Sequence, residues 1–211
     1  MNNRTLFIST LSSLALVAGA ALADEKTYDV SGFDAVSVSA GIKAEITVGA
    51  DYSVRAESSA EGLDRLEIRV SGSELRIGRE HRNFSWRRNE DVTVYVSLPA
   101  LSALDVSSGA QGAATSIEAD DFAIDASSGG HAELAGTCKA LNIDVSSGAH
   151  VDAEDLQCAS ARADASSGAH AAIFASESIV ADASSGGHVE VYGSPKNVNI
   201  DHSSGGSVSV K

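Results

Sequence analysis

Side chains that could bind metal ions or take part in catalysis recur at fixed intervals in the C-terminal half of the sequence. One phrase, Asp-X-Ser-Ser-Gly followed by Ala or Gly and then usually His, occurs six times. Its glycines, at positions 109, 129, 148, 168, 186 and 205, lie 20, 19, 20, 18 and 19 residues apart. Carboxylates, hydroxyls and imidazoles at such spacing could coordinate cations or form nucleophile–base pairs.

The six aspartates of this phrase are candidate cation ligands. If successive repeats stack about 4.8 Å apart, they form one outward column: Asp105, Asp125, Asp144, Asp164, Asp182 and Asp201. Such a column repels itself by roughly 1 kcal/mol per neighbouring pair in bulk water, so something must offset the repulsion. The favoured interpretation is an Asx-type hydrogen bond from each aspartate to its serine–glycine turn. Calcium bound along the column is the alternative, because oxygen-rich sites suit hard cations.

Four histidines of the phrase form a second candidate column: His131, His150, His170 and His188. Neighbouring imidazoles could share zinc or copper. However, ligands on successive rungs lie in a line instead of around a tetrahedron, which favours stacked, partly exposed imidazoles. Ser-His-Asp combinations recur at every repeat, so no single catalytic triad stands out. We expect no catalytic residue and no bound cofactor other than the calcium considered above.

The two cysteines are separated by one repeat period. Cys138 and Cys158 lie 20 residues apart and follow their motif glycines at nearly the same distance. They therefore occupy near-equivalent positions on adjacent rungs, close enough for a disulfide. Because an oxidising export compartment favours pairing, the sequence predicts a structural disulfide.

Basic and aromatic residues are concentrated in one short segment of an otherwise acidic chain. Arg79, Arg82, Arg87 and Arg88 lie around Trp86. One interpretation is a loop that binds an anionic partner such as a polysaccharide or a lipid headgroup. The other is a solvated hairpin loop whose arginines offset the acidic remainder, and the small size of the segment favours it.

The repeat period predicts the elements that position these residues. A period near 20 without helical periodicity is typical of a β-solenoid. In the repeat around Asp144, Leu141, Ile143 and Val145 alternate with polar residues, so they face inward, and a glycine follows at the corner. We predict an all-β fold: a parallel β-helix or β-solenoid over 101–211 with rungs of about 20 residues. Residues 24–100 alternate in period two and predict an irregular all-β part continuous with the coil or capping it.

The N-terminus and the composition limit the location and the partners. Residues 1–23 have a positive start at Arg4, an apolar run and a small-residue end, Ala21-Leu22-Ala23, typical of a secretory signal peptide. We expect export to the periplasm, surface or medium of a bacterium, with no membrane span after signal cleavage. The 15 basic and 29 acidic residues give a net charge of −14, which excludes general affinity for nucleic acid.

Two stretches resemble a known bacterial family. The first begins at Val30-Ser-Gly-Phe33-Asp-Ala-Val36 and continues through residues 42–48 and 74–77; the second runs from Leu98-Pro99-Ala100-Leu101 into the Val-Ser-Ser-Gly-Ala phrases. In these stretches the sequence is similar to the autotransporter adhesin head GIN domain family, a domain of unknown function. The resemblance covers residues 24–211 as a single domain. It implies an exported β-solenoid with an adhesive role and supplies no catalytic residues.

These patterns lead to one expected function and two alternatives. We expect a non-catalytic, adhesin-like binding module of the cell envelope, whose partner is an envelope or surface polymer or protein. A polysaccharide-active β-helix enzyme is the first alternative. Residues 101–211 argue against it, since they hold 4 basic and 15 acidic residues and no tryptophan. The second alternative is a structural envelope protein that self-assembles into homo-oligomers through the ends of its solenoid.

Overall fold

The computed structural model describes residues 23–49, 51–80 and 90–211, and within these ranges 66% of the residues are in β-strands and 3% are helical. The fifteen strands of the described residues belong to one sheet. Their bounds are β1 (Asp24–Tyr28), β2 (Ala35–Val38), β3 (Lys43–Val48), β4 (Ser53–Ser58), β5 (Leu66–Ser71), β6 (Glu74–Arg79), β7 (Thr93–Leu98), β8 (Ala103–Val106), β9 (Gln111–Ala126), β10 (His131–Val145), β11 (His150–Ala165), β12 (His170–Ala183), β13 (His188–Tyr192), β14 (Asn197–His202) and β15 (Ser207–Val210). A helix, α1 (Ala60–Arg65), lies between β4 and β5.

The C-terminal part is a β-solenoid, as predicted. The long strands β9, β10, β11 and β12 pair in parallel, and equivalent residues of successive repeats are direct partners. Asp144 pairs with Asp125 on one side and with Asp164 on the other. The shorter strands β13, β14 and β15 continue the same stacking. One repeat is therefore one rung.

The N-terminal part contributes rungs to the same coil. β2 lies parallel between β6 and β8, while β3 lies parallel between β7 and β9. Beyond them the pairing becomes antiparallel, with β5 on β6 and with β4 and β1 beyond β7. The irregular β part is thus continuous with the solenoid through β2, β3, β6 and β7, and its antiparallel strands close the N-terminal end.

The core is built from small and branched apolar residues that point inward at alternate positions. In β10 the side chains of Leu141, Ile143 and Val145 are at most 2% exposed, while Asn142 and Asp144 are exposed. Phe122 is fully buried, whereas Phe174 and Tyr192 are only partly buried at the outer surface. The alternation that predicted the inward face is confirmed, and the narrow interior explains why the chain needs few aromatic residues.

The corner after each aspartate is a tight turn with two residues at positive φ. At the central corner Ser147 has φ 53° and Gly148 has φ 71°, and the Ala149 N–H donates to Ser146 O at 3.1 Å. Positive φ at both central positions defines a turn of the type I′ class. Glycine adopts this conformation freely, but serine pays a steric cost there, so the surrounding stack must hold it in place.

The prediction that each aspartate forms an Asx-type hydrogen bond to its turn is wrong. In the described residues the turns are closed by backbone N–H···O bonds, and the hydrogen bonds to the repeat aspartates come from Ser37 and Arg162. The aspartate side chains point outward from the strand, two residues before the turn. They are therefore available at the surface instead of being used as caps.

One corner was missed at the sequence level. Ala40 (φ 62°) and Gly41 (φ 68°) follow β2 and occupy the position of the serine–glycine pair, and the Gly41 N–H donates to Ser108 O at 3.1 Å. This corner lacks both the aspartate and the second serine of the phrase. Its sequence matches copies of the phrase only at Val38, Ser39 and Gly41.

Candidate functional site

The solenoid presents two outward surfaces that meet at the serine–glycine corner. The strands that lead into the corner carry the aspartate column, and we call this surface the aspartate face: β2, β6, β8, β14 and the second halves of β9–β12. The strands that leave the corner carry the histidine column, and we call this surface the histidine face: β3, β7, β13, β15 and the first halves of β9–β12. Parallel pairing in register places equivalent side chains directly above one another on both faces.

The histidine column is a continuous stack of four imidazole rings. The ring centroids of successive histidines lie 5.1, 4.7 and 5.1 Å apart from His131 to His188, with interplanar angles of 8°, 8° and 19°. Lys43 and Gln111 extend the column at one end and Ser207 at the other. Because the faces of the rings are stacked, the ring edges, which carry the nitrogen atoms, are left for hydrogen bonds.

A second column of carboxylates runs beside the imidazoles. It lies two residues further along each strand and contains Glu45, Glu133, Asp152 and Glu190, with alanines at the intervening rungs. His131 Nε2 lies 3.2 Å from Glu133 Oε1, and His188 Nε2 lies 3.3 Å from Glu190 Oε1. Sequence reasoning missed this column, although alternation within each strand makes the second residue after each histidine an outward position.

The two central imidazoles are held in the neutral form. Partial burial, followed by repulsion from the neighbouring imidazoles, lowers the pKa of His150 and His170 below the ordinary histidine value, and Asp152 opposes the shift. Hydrogen bonds from His188 and Tyr192 lower the pKa of Glu190. Near neutral pH this face therefore combines neutral hydrogen-bonding rings with negative carboxylates.

The aspartate column is unbroken from Asp105 to Asp201. Each aspartate is the direct register partner of the next. Partial burial and the next carboxylate in the column raise the pKa of Asp105 and Asp125 above the ordinary aspartate value. Arg162 offsets part of the charge through a 3.0 Å ion pair with Asp164. The repulsion expected from the sequence is therefore met by raised pKa values at one end and by an arginine in the middle.

The column carries positive charge at its N-terminal end. Ser37 pairs with Asp105 and with Arg76, and Arg76 pairs in turn with Arg69 across the β5–β6 hairpin. The Ser37 hydroxyl donates to Asp105 Oδ1 at 3.5 Å. Sequence reasoning missed Arg69, because its position opposite Arg76 depends on an antiparallel hairpin whose register the local pattern did not reveal.

The candidate cation ligands do not converge in the described part of the chain. In residues 23–49, 51–80 and 90–211, no group of three or more His, Cys, Asp or Glu side chains is arranged so that it could hold a metal ion. The carboxylates and the imidazoles instead remain in straight lines, one per rung. This arrangement suits repeated contacts along an extended partner better than coordination of one ion.

Of the residues proposed for the basic loop, the structure describes Arg79. Its guanidinium donates from Nε to Ala40 O at 3.1 Å and from Nη2 to Glu90 O at 2.6 Å. Partial burial lowers its pKa from the ordinary arginine value. Arg82, Trp86, Arg87 and Arg88 lie outside the described residues. Arg79 thus joins the missed corner at Ala40 to the start of the next described segment.

Cys138 and Cys158 meet in the middle of the strands β10 and β11 of adjacent rungs. They are direct register partners in β10 and β11, and the structure joins them in a disulfide with Cα atoms 4.5 Å apart. Cys158 is fully buried and Cys138 nearly so. The bond links two consecutive rungs.

Together these features define a parallel β-solenoid of short rungs with columns of identical polar side chains on its surface. No helix among the described residues is long and apolar enough to cross a membrane. The family model described as "Putative auto-transporter adhesin, head GIN domain" matches residues 32–195. The chain belongs to this family.

Three solved structures illustrate the fold that this chain shares with other bacterial proteins. A structure described as "a putative adhesin", from Bacteroides fragilis NCTC 9343, has a TM-score of 0.68 at 15% identity and covers 91% of this chain and 98% of its own. A second, described as a "Putative lipid binding protein", from Parabacteroides distasonis ATCC 8503, has a TM-score of 0.53 at 14% identity, with coverage of 92% and 98%. A third, "a putative adhesin" from Parabacteroides merdae ATCC 43184, has a TM-score of 0.54 at 11% identity, again with 92% and 98%. No curated protein matches the chain. At these identities the likeness establishes the fold alone.

The imidazole stack predicts a specific pH dependence of stability. Because the folded-state pKa of His150 and His170 is lowered, the unfolded chain takes up protons first as the pH falls through 6.5. The free energy of unfolding is therefore unaffected by these histidines above this value, decreases as the pH falls from it towards the folded-state pKa, and levels off below that pKa. Urea denaturation between pH 7.5 and 5.5 measures the decrease.

The double substitution His150→Gln and His170→Gln is expected to flatten that profile. The matched control is His202→Gln, which replaces a histidine outside the stack and should leave the decrease unchanged. A wild-type profile that is flat over this range, or a double variant with the wild-type slope, contradicts the prediction.

The disulfide is expected to form in protein purified without reductant. A free-thiol assay under denaturing conditions should then find no titratable thiol, whereas two thiols per chain would contradict the pairing. The double variant Cys138→Ala and Cys158→Ala should lose about 3 kcal/mol of unfolding free energy, the value typical of closing a loop of this length. Reduced wild-type protein is the control and should lose a similar amount.

Proposed function

We propose that this chain is an exported, non-catalytic binding module of the bacterial cell envelope. Residues 24–211 act as one domain, and residues 1–23, which lie almost wholly outside the described ranges, direct export. The partner is an extended envelope or surface polymer, or a protein with a repeated surface. The family description and the adhesin names of two of the three structures above agree with this class of function.

The observation that carries the proposal is the regular spacing of identical side chains. Imidazoles repeat every 4.7–5.1 Å along one face, and register pairing repeats the aspartates rung by rung along the other. Each column offers one hydrogen-bonding group per rung. A longer polymer lying along the coil axis therefore makes more contacts. Many weak contacts of this kind give avidity without any deep pocket.

The repetition also supports a non-catalytic role. A glycosidase places two carboxylates on opposite sides of one scissile bond, and their separation is specific to that site. Here the aspartates recur identically from Asp105 to Asp201 and lie in one line. Because the same residue recurs on every rung, no single rung forms a distinct site, as is expected of a contact surface.

The test is binding of purified envelope polymers of graded length to the immobilised protein. We expect affinity to rise with polymer length, at least tenfold from short to long fragments, and the polymer mass to stay unchanged after incubation. Asp152→Trp obstructs the histidine face and Asn142→Trp obstructs the aspartate face, both at exposed positions. One of these variants should abolish binding and the other serves as its control. Cleavage of the polymer would favour the enzyme alternative, and equal affinity at all lengths would contradict the proposal.

A second candidate function, self-association through the C-terminal rung, has an observation of its own. Val198 and Val210 face inward but are 48% and 42% exposed, whereas their partners in the preceding rung, Ile179 and Val191, are buried. In the described residues β14 and β15 are each paired along one edge only. An unpaired edge with an apolar rim is suited to stacking against a second copy.

Light scattering across a concentration series tests this second candidate. We expect the wild-type chain to dimerise, and Val198→Lys with Val210→Lys to shift the monomer–dimer midpoint upward at least tenfold. The matched control is Val180→Lys, at a valine that is 40% exposed on the aspartate face away from the end. A wild-type chain that stays monomeric at all concentrations would exclude this candidate and leave the binding proposal intact.

A further inference from the structure

A cavity of about 450 Å³ opens at the N-terminal end of the aspartate face. It lies where the β5–β6 hairpin meets the corner that follows β2. Its lining contains three arginines, three serines and one glutamate around a glycine. These residues are Arg69, Arg76, Arg79, Ser37, Ser39, Ser108, Glu67 and Gly78.

The missing side chain of Gly78 creates the space. Gly78 occupies an outward position on β6, directly opposite Glu67 on β5. A Cβ atom added there would lie 3.2 Å from the Ser39 hydroxyl oxygen, so any larger side chain would extend into the opening. The φ angle of Gly78 does not require glycine, because it lies outside the left-handed region. Glycine at this position therefore keeps the cavity open and is not required by the backbone conformation.

Among the described residues, two of the guanidiniums keep most of their donors free. Arg69 contacts Glu67 through Nη1 at 2.6 Å, and Arg76 contacts Glu74 through Nε at 2.5 Å. Each guanidinium has five N–H donors, so one recorded contact leaves several for a ligand. Both ion pairs are solvent-exposed, and exposed pairs are weak enough for an incoming oxyanion to compete with the glutamate.

The third guanidinium is fixed in place at the corner. The two backbone carbonyls of Ala40 and Glu90 hold Arg79, as described above. Its Nη1 is buried and has no hydrogen-bond partner among the described residues. Three arginines outnumber Glu67 of the lining and Glu74, the partner of Arg76, so the cavity is a local positive site in a chain whose net charge is −14. Preorganised positive charge of this kind favours planar or tetrahedral oxyanions.

The neighbouring aspartates limit the size of the anion. The outward column runs from Arg69 through Arg76 and Ser37 directly into Asp105 and the aspartates beyond it. A polyanion that followed the coil axis would meet this acidic column two strands beyond Arg76, with only Ser37 between. The site therefore suits a single anionic unit, at the end or on a branch of an otherwise neutral chain.

The lining indicates a sugar in preference to a lipid. The serine hydroxyls and the Glu67 carboxylate offer donors and acceptors to ring hydroxyl groups, while Ile77, the one large apolar residue of the lining, is itself only 2% exposed. We propose that this cavity binds the carboxylate or sulfate of one acidic sugar unit through Arg69 and Arg76. The inference rests on the proposed envelope-binding function and names the ligand chemistry of one site within it.

Chemical-shift titration of the protein comprising residues 24–211 tests the proposal with defined probes. Glucuronate and glucose 6-sulfate carry the two expected oxyanions, glucose is the neutral control, and inorganic sulfate tests for simple ion binding. We expect both acidic sugars to bind at least fivefold more tightly than glucose and than inorganic sulfate. The shifted amides should lie in β2, β5 and β6.

Three variants separate the cavity from general electrostatics. Arg76→Gln removes one guanidinium and should weaken acidic-sugar binding at least fivefold. Gly78→Leu keeps every charge but fills the space, and should weaken it by a similar factor. Arg162→Gln removes an exposed arginine that is paired with Asp164 elsewhere on the aspartate face, and should change nothing. Unchanged thermal unfolding midpoints establish that the variants are folded.

Several results would overturn the proposal. Equal affinity for glucose and glucuronate would show that the arginines do not contribute to binding. Full affinity in Gly78→Leu would show that the ligand does not occupy the cavity. Binding of inorganic sulfate as tight as that of glucose 6-sulfate would reduce the site to ion capture. Arginine-dependent binding of phosphatidylglycerol vesicles without sugar binding would replace the glycan by a lipid headgroup. If the sugars fail but length-dependent polymer binding persists, the envelope-binding function stands and this site alone is refuted.

Discussion

The structure depends on hydrogen bonds that join the corner turns of successive rungs from Gly109 to Ser185. The Gly109 N–H donates to Ser128 O, Gly129 to Ser147 O, Gly148 to Ser167 O and Gly168 to Ser185 O, all at 3.1–3.2 Å. These bonds require the serine before each glycine to take the positive φ that aims its carbonyl along the coil. Each bond offsets part of the steric cost of a left-handed serine, so the turns are stable as a stack and weak alone.

The surface chemistry follows from this constraint. Because the corners stack without slipping, the aspartate two residues before and the histidine one residue after each turn fall into register, and the aspartate and histidine columns result. Stacking also sets the electrostatics: it brings imidazoles within 4.7–5.1 Å and lowers the pKa of the central two, and it raises the pKa of Asp105 and Asp125. A surface of this kind repeats one weak contact many times, whereas catalysis needs several different groups at one point.

The sequence predicts the structural features that recur with the repeated phrase, but not those that occur at a single place in the fold. The rung length, the inward alternation and the aspartate and histidine columns follow from the period of the phrase, since one period equals one rung. The corner at Ala40–Gly41 carries neither the aspartate nor the second serine, so its similarity to the others becomes visible only through its φ angles and its pairing. The arginine-lined cavity depends on the pairing of Arg69 with Arg76 and on the space above Gly78, which no local pattern contains. The Asx interpretation failed because backbone bonds already close the turns, which leaves the aspartates free at the surface.

Native-state hydrogen exchange at the corner glycines tests the central claim most directly. If the corners are bonded from rung to rung, the amides of Gly109, Gly129, Gly148 and Gly168 should be protected as strongly as strand amides despite their place in surface turns. Gly186 and Gly205 are internal controls, since no hydrogen bond from their N–H groups is found in the described structure, and they should exchange rapidly. Rapid exchange at all six glycines, alongside protected strands, would contradict the account and place the stability of the coil in its faces alone.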